Sequence, residues 1–246
     1  MTAGAVVTSS TVEAGEWRIR NAIVPLAGAL PWRRSRLQRA AKRALDLAVA
    51  LPAALVALPV MAAVAAVVRA TSPGPVLLRQ QRVGLDGALF EMLKFRTMRA
   101  DRADGAAHGH GEVTRSDPRL TPPGRFLRDW RLDELPQLLH VVSGRMSLVG
   151  PRPDLPVNLP AYPDALLVRF AMPPGCTAWT FTRGAFDNDW ATRQAINAEY
   201  VRAWTFWLDV KVLFGTAWVL LTQRGTAPAT GETPAAGAAP GAKKEE

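Results

Sequence analysis

Three observations predict a mixed α/β fold, with a membrane-embedded re-entrant helix and a compact cytoplasmic domain of short strands and interfacial amphipathic helices. Residues 47–68 form a run of 22 positions without a charge, the length needed to cross a hydrocarbon layer. A basic stretch precedes that run: Arg18, Arg20, Arg33, Arg34, Arg36, Arg39, Lys42 and Arg43 stand between Trp17 and Arg43 with no acidic residue among them. After it, short apolar runs bounded by Gly and Pro alternate with runs of helical period.

Composition bounds the function classes. With 246 residues, 48% hydrophobic and 21% charged, the chain can bury a core and is not wholly disordered. Its formal charge is +9, yet removing the eight basic residues just named leaves 22 basic against 21 acidic. The excess is therefore juxtamembrane, where it meets anionic headgroups, and nucleic acid is not expected as a partner. Glu13 and Glu16 near the start and the late apolar run argue against a cleaved signal peptide. The single Cys176 cannot form an intrachain disulfide.

Taken in order, residues 1–32 read as a mostly disordered extension, because the first 16 are rich in Ala, Thr and Gly. Residues 33–70 read as a basic juxtamembrane helix followed by the membrane helix. Pro52 and Pro59 lie in the apolar run and basic residues flank both ends, so both flanks look cytoplasmic; a break at Pro59 would return the chain to the face it entered. A bent single span is the alternative. Residues 71–222 read as the cytoplasmic catalytic domain. Within it, 76–82 and 89–98 are strands joined through Gly84 to Gly87, and 99–121 is a polar loop. Helical runs follow at 125–130 and 135–142, then a strand at 146–149 running into Gly150-Pro151-Arg152-Pro153, then helices at 163–170, 190–203 and 206–221. The last, with Trp204, Trp207 and Trp218 around it, suits either a headgroup-level helix or a core helix. Residues 223–246 read as a disordered Ala/Pro/Gly-rich tail.

The candidate chemistry centres on Asp133 and Glu134, adjacent acids before Leu135-Pro136-Gln137, where proline suits a helix start. Carboxylates there serve as nucleophile, proton acceptor or ligands of a hard divalent cation. Lys94, Arg96, Arg128 and Arg152 supply cations, and Arg152 lies between two prolines that fix its direction. Acids, cations and a membrane anchor together suggest phosphoryl chemistry on a lipid-borne substrate.

Six motifs then occur in order: Lys42-Arg43-x-x-Asp46, Ser72-Pro73-Gly74-Pro75-Val76, Gln81-Arg82-x-Gly84, Lys94-Phe95-Arg96-Thr97-Met98, Leu132-Asp133-Glu134-Leu135-Pro136-Gln137-Leu138 and Met146-Ser147-x-Val149-Gly150-Pro151-Arg152-Pro153. Over roughly residues 39–221 the chain resembles the bacterial sugar transferases, the monotopic polyprenyl-phosphate phosphoglycosyl transferases. The resemblance implies an enzyme of the bacterial inner membrane, its catalytic domain facing the cytoplasm. It would move a sugar 1-phosphate from a UDP-sugar to polyprenyl phosphate, release UMP and begin a surface glycan such as exopolysaccharide or capsule. By the same resemblance Asp133 is the covalent nucleophile. Glu134 assists it, Mg²⁺ is held at Asp133 and Glu134, and Lys94, Arg96, Arg128 and Arg152 bind substrate phosphates. The re-entrant helix with its break at Pro59 is implied too. Membrane lipids are expected partners, and a homodimer is compatible with the sequence.

After Pro153 the pattern departs: Pro173-Pro174-Gly175-Cys176-Thr177-Ala178 stands where Arg-Pro-Gly-x-Thr-Gly is usual and Gly184-Ala185 where Gly-Arg is usual; before it, His140 and Arg145 stand where an Asn and an acid are usual. Sugar preference does not carry over across these changes. The rival reading is a membrane-anchored scaffold that keeps the fold without turnover; the intact dyad argues against it.

Overall fold

The longest element grows out of the longest uncharged run. In the computed structural model, which describes residues 9–26, 28–99, 117–184 and 189–222, helix α3 spans Arg36–Thr71. Ser35 caps it by accepting the Gln38 N–H. The helix runs through both Pro52 and Pro59, which corrects the expected break at Pro59. Each proline removes one backbone bond, and the remaining bonds of a 36-residue helix carry it through. One stripe of α3 is buried, Lys42, Asp46, Ala50, Ala54, Ala57, Met61, Val64 and Val68, at the three-and-four spacing of a single helix face. The other face exposes Leu55, Val56 and Leu58. Among the described residues α3 alone is long and apolar enough to cross a membrane.

Order begins before residue 32, against the expectation of a disordered extension. Helix α1 spans Ser9–Ile23 and the short α2 spans Pro31–Arg34. The polar composition hides a docking face: Ile19, Ile23 and Leu30 are 0%, 2% and 3% exposed, so burial of these few large side chains offsets the ordering entropy. Residues 1–8, most of the expected loop 99–121, Ala185 and the expected tail lie outside the described residues.

Strands β1 (Leu77–Val83) and β2 (Leu89–Phe95) form the expected antiparallel hairpin, with Leu78 opposite Lys94 and Arg82 opposite Phe90. The two-residue period therefore puts Arg82 and Lys94 on one face. Helix α4 (Pro122–Asp129) starts with prolines behind the capping Thr121. A 3₁₀ turn at Leu132–Glu134 leads into α5 (Gln137–Val142), so the acids occupy the turn before the helix instead of its first turn. Strand β3 (Ser147–Val149) pairs in parallel with β4 (Gly175–Thr177). Between them lie 3₁₀ segments at Pro156–Ala161 and Asp164–Ala171. Helices α6 (Trp179–Thr182), α7 (Trp190–Ala203) and α8 (Phe206–Thr222) follow.

The main core gathers Val141, Met146, Val149, Tyr162, Ala198 and Trp204; a smaller one packs Ala57, Met61, Val64 and Val68 of α3 on Phe95 and Leu127. Helix α8 buries Asp209 and Val212 and leaves Trp207, Phe214 and Trp218 about 70% exposed, an arrangement unlike that of a core helix.

Candidate active site

Local backbone geometry aims the acids. Arg131 adopts a left-handed conformation, φ 53°, unusual for a side chain with a Cβ, and the Glu134 N–H donates to its carbonyl at 3.2 Å. The tight turn presents Asp133 and Glu134 in succession. Opposite them, Arg152 emerges from β3 through a loop locked by its own sequence. Arg82 donates to the Pro153 carbonyl at 3.1 Å, and the Val83 N–H donates to the Asp154 carbonyl at 2.9 Å. Gly150 and Gly175 pass so closely that a Cβ on Gly150 would meet the Pro173 carbonyl oxygen at 2.4 Å. Neither position can carry a side chain without moving the loop.

The structure brings Lys94, Arg128 and Arg152 together around the dyad. Arg152 donates to Glu134 Oε1 at 3.1 Å, and Arg131 stands 3.5 Å from Oε2. Arg128 is oriented by its bond from Nε to Thr97 Oγ1 at 2.8 Å. Asp133 is 8% exposed, and among the described residues no other side chain donates to its carboxylate. Burial, and then the charge of Glu134, push the Asp133 carboxyl up to about 6, with Arg128 and Lys94 pulling the other way. Burial also opposes ionisation of Glu134, but Arg152 and Arg131 outweigh it and hold that carboxyl below the usual carboxylate range. Burial, with Arg82 and Arg128 nearby, pushes the Lys94 ammonium down to about 8.

Arg96 is not in this group, contrary to the sequence expectation. It is 7% exposed, and its two terminal nitrogens donate to the Pro73 and Ser72 carbonyls at 2.7 and 2.6 Å. β2 ends at Phe95, so the two-residue period that faces Lys94 toward the acids no longer governs Arg96, and its side chain staples the turn after α3.

Two cations were missed. Arg82, lowered by burial to about 10 and so charged at neutral pH, shares the Lys94 face; the Gln81-Arg82-x-Gly84 motif and the strand period were the available signals. Arg131 stands two residues before Asp133, its guanidinium 4.8 Å over the Phe181 ring. Arg82, Lys94, Arg128, Arg131 and Arg152 thus oppose two carboxylates, a net +3 if all are ionised. That excess suits a diphosphate.

The departures from the family pattern have defined surroundings. His140 Nε2 accepts the Leu93 N–H at 3.0 Å, holding β2 next to Lys94. Arg183 stacks 3.6 Å over Trp179 and pairs with Glu199 at 3.0 Å. Cys176 is half-buried in β4, and burial pushes its thiol up to about 12, which leaves it unreactive. A cavity of about 10 Å³ beside Arg152, lined by Pro151, Arg169 and Phe170 among others, has room for about one water.

An acid pair ringed by five cations, beside a helix apolar enough to enter a bilayer, defines a site for phosphate transfer near a membrane. The bacterial sugar transferase family matches residues 37–223, and the chain belongs to that family. It is 37% identical over 190 residues to the UDP-glucose:undecaprenyl-phosphate glucose-1-phosphate transferase of Escherichia coli, covering 74% of this chain and 40% of that protein. A Caulobacter vibrioides protein of the same name is 41% identical over 190 residues, 74% of this chain and 70% of its own length. The exopolysaccharide production protein ExoY of Rhizobium meliloti is 35% identical over 198 residues, 75% of this chain and 88% of its own. The chain thus spans well under half of the Escherichia coli relative and most of the other two.

Proposed function

We propose that this chain transfers a sugar 1-phosphate from a UDP-sugar to polyprenyl phosphate, with Asp133 as covalent nucleophile. The observation that carries the reading is the contrast within the dyad: Glu134 is ion-paired with Arg152, whereas Asp133 is buried among cations with no partner side chain among the described residues. An Asp133 oxygen attacks the β-phosphorus, and the bond from that phosphorus to the bridging oxygen breaks. UMP leaves with the bridging oxygen and its electron pair. An oxygen of the lipid phosphate then attacks the same phosphorus and displaces the Asp133 carboxylate, giving the lipid diphosphate sugar. Arg152 and Lys94 hold phosphate oxygens, Arg128 faces the phosphorus under attack, and Glu134 keeps Arg152 in place. Among the described residues no three His, Cys, Asp or Glu side chains converge, but Mg²⁺ commonly takes one or two carboxylates plus phosphate oxygens, so Asp133 and Glu134 fit it. Bound there, it would neutralise the diphosphate.

With no break at Pro59, the geometry of α3 supports a helix lying in the membrane plane over a straight span. Its buried stripe from Lys42 to Val68 is about 39 Å long, more than the roughly 30 Å hydrocarbon layer. A straight span would drag the charged domain packed along it into lipid. The exposed aromatic residues of α8 suit the headgroup level. With positive charge kept inside, the domain then faces the cytoplasm of the bacterial inner membrane, where UDP-sugars are.

The test is UMP release by the chain in nanodiscs with undecaprenyl phosphate, Mg²⁺ and a panel of UDP-sugars. UDP-glucose and UDP-galactose come first, because relatives are named for glucose and galactose transfer. A phosphosugar adduct on Asp133 is expected when lipid is withheld. No release with any donor would return the scaffold reading. For topology, single cysteines at Gln38 and Ser143 in a Cys176→Ser background should both resist an impermeant thiol reagent in intact cells; labelling of Gln38 alone would mean a straight span.

A further inference from the structure

The family match starts at residue 37, yet the structure docks the preceding helix directly behind the loop that carries Arg152. We propose that α1 is a positioning element of the active site, acting through Arg18 on that loop; the catalytic part of this proposal rests on the phosphoglycosyl transfer reading.

Helix α1 buries Gly15, Ile19 and Ile23, one face at four-residue spacing. Gly15 lies against Leu159, and Ile19 against Gly87 in the turn of the β1–β2 hairpin. Arg33 of α2 holds the same hairpin turn through an ion pair with Asp86. The N-terminal segment therefore grips the hairpin, which carries Arg82 and Lys94, and the 3₁₀ segments that follow Arg152.

Arg18 is the polar centre of this grip. Its guanidinium donates to the Leu159 carbonyl at 3.3 Å, the Tyr162 carbonyl at 3.0 Å and Asp164 Oδ1 at 2.6 Å. These acceptors straddle the junction of the segments Pro156–Ala161 and Asp164–Ala171. The carbonyl bonds are the ones that matter: Asp164 has a side chain 77% exposed, and such surface pairs contribute little.

From Tyr162 the contacts run inward without a gap. The Tyr162 hydroxyl donates to Asp154 and accepts from Arg169. Arg169, its side chain 1% exposed, also pairs with Asp154 and donates to the Arg152 carbonyl. Asp154 accepts from Leu155 N–H at 2.7 Å and from Asn158 at 2.6 Å. The backbone of Arg152 is thus fixed by a buried cluster that closes only when Tyr162 is seated, and Arg18 seats it. Arg152 reaches the dyad at Glu134, so loosening Tyr162 misaims the cation, and small misplacements of a reacting pair are costly.

The test uses the full chain in nanodiscs. Arg18→Met keeps the aliphatic stem and removes the donors; it should lower kcat for UMP release about fivefold or more. In an Arg152→Ala background the same change should cost less than about twofold, because the residue through which it acts is gone. Asp164→Ala should leave turnover within about twofold of the parent. By hydrogen exchange, the Val83 and Leu155 amides of Arg18→Met should open about tenfold faster while α7 amides keep their protection, which also reports that the variant is folded. Equal losses in the two backgrounds, or unchanged exchange at Val83 and Leu155, would overturn the proposal. If the parent releases no UMP, the transfer reading fails by itself, and the exchange rates still decide whether α1 controls the loop.

Discussion

Two clusters of buried charge, joined by β3 and the loop after it, are built on opposite plans. Around Lys42 the charges are closed. Lys42 and Asp209 have side chains 2% and 1% exposed and meet at 2.5 Å. Lys42 also donates to the Val149 carbonyl at 2.8 Å, and the other Asp209 oxygen accepts from Tyr200 at 2.5 Å and Trp204 at 3.2 Å. One turn along α3, Asp46 accepts from the Ser147 hydroxyl and, at 3.0 Å, from the Leu148 N–H. Around Asp133, by contrast, cations outnumber acids, and among the described residues the nucleophile candidate has no partner side chain. A cluster that satisfies its own charges fixes the domain to α3. One that leaves positive charge uncompensated is completed by an anion from outside.

The sharpest way to break this contrast is to remove Asp133. Asp133→Asn keeps the shape and removes the proposed nucleophile, so UMP release and the adduct should fall by about a thousandfold or more; a variant within tenfold of the parent would exclude Asp133 as the attacking group. Stability should move the other way. The folded-state pKa of Asp133 is raised to about 6, so folding favours its protonated form, and ionisation as pH climbs toward 6 and beyond destabilises the fold. At pH 7 the amide should therefore raise Tm, by about 2–4 °C for each kcal/mol recovered. Activity lost with stability gained is the mark of an open cluster.

The closed cluster should respond in reverse. Lys42→Met strands the Asp209 carboxylate in the core, a loss of about 3–5 kcal/mol, or about 6–20 °C in Tm for a domain of this size. Adding Asp209→Asn removes the stranded charge while keeping an acceptor for Tyr200 and Trp204, and should recover part of the loss. A double variant less stable than Lys42→Met would show that the pair is not what the site depends on.

A third expectation concerns pH. In the proposed transfer, Asp133 must be ionised to attack and Lys94 must be protonated to hold phosphate. As pH falls through about 6 the carboxylate is lost, and as pH rises through about 8 the ammonium is lost. The profile of kcat/KM should be bell-shaped between those limbs. Lys94→Arg, protonated throughout, should shift the alkaline limb upward; an unmoved limb would assign it to another group.

Much of this contrast was legible in the sequence, and the exceptions share a cause. The hairpin, α7 and the dyad were found because period and motif are local. Helix α1 was not, since its docking face is only Gly15, Ile19 and Ile23 in a polar stretch, and its partners, from Gly87 to Asp164, lie tens to more than a hundred residues away. Strand β4 is three residues long, too short to show alternation, and exists because Gly150 and Gly175 let two backbones approach. The run through Pro59 depends on packing along the whole stripe of α3, which proline chemistry alone does not reveal. Arg96 was misassigned because a motif reports which residues occur together without reporting which way each side chain points.

That misassignment yields the smallest expected effect and the finest test of the contrast. Arg152 and Arg96 each lie in one of the six motifs and both use a planar fork, one toward Glu134 in the open cluster and the other toward two backbone carbonyls. Arg152→Lys keeps the charge and loses the fork, so kcat/KM should fall about tenfold, about 1.4 kcal/mol. Arg96→Lys also keeps the charge, but it can no longer reach the Ser72 and Pro73 carbonyls at once with two nitrogens. Since the net contribution of each such bond is about 1 kcal/mol, Tm should drop by about 2–4 °C while kcat/KM stays within about threefold. A tenfold loss in Arg96→Lys at unchanged Tm would return Arg96 to the phosphate site and show that the turn after α3 is held by other contacts.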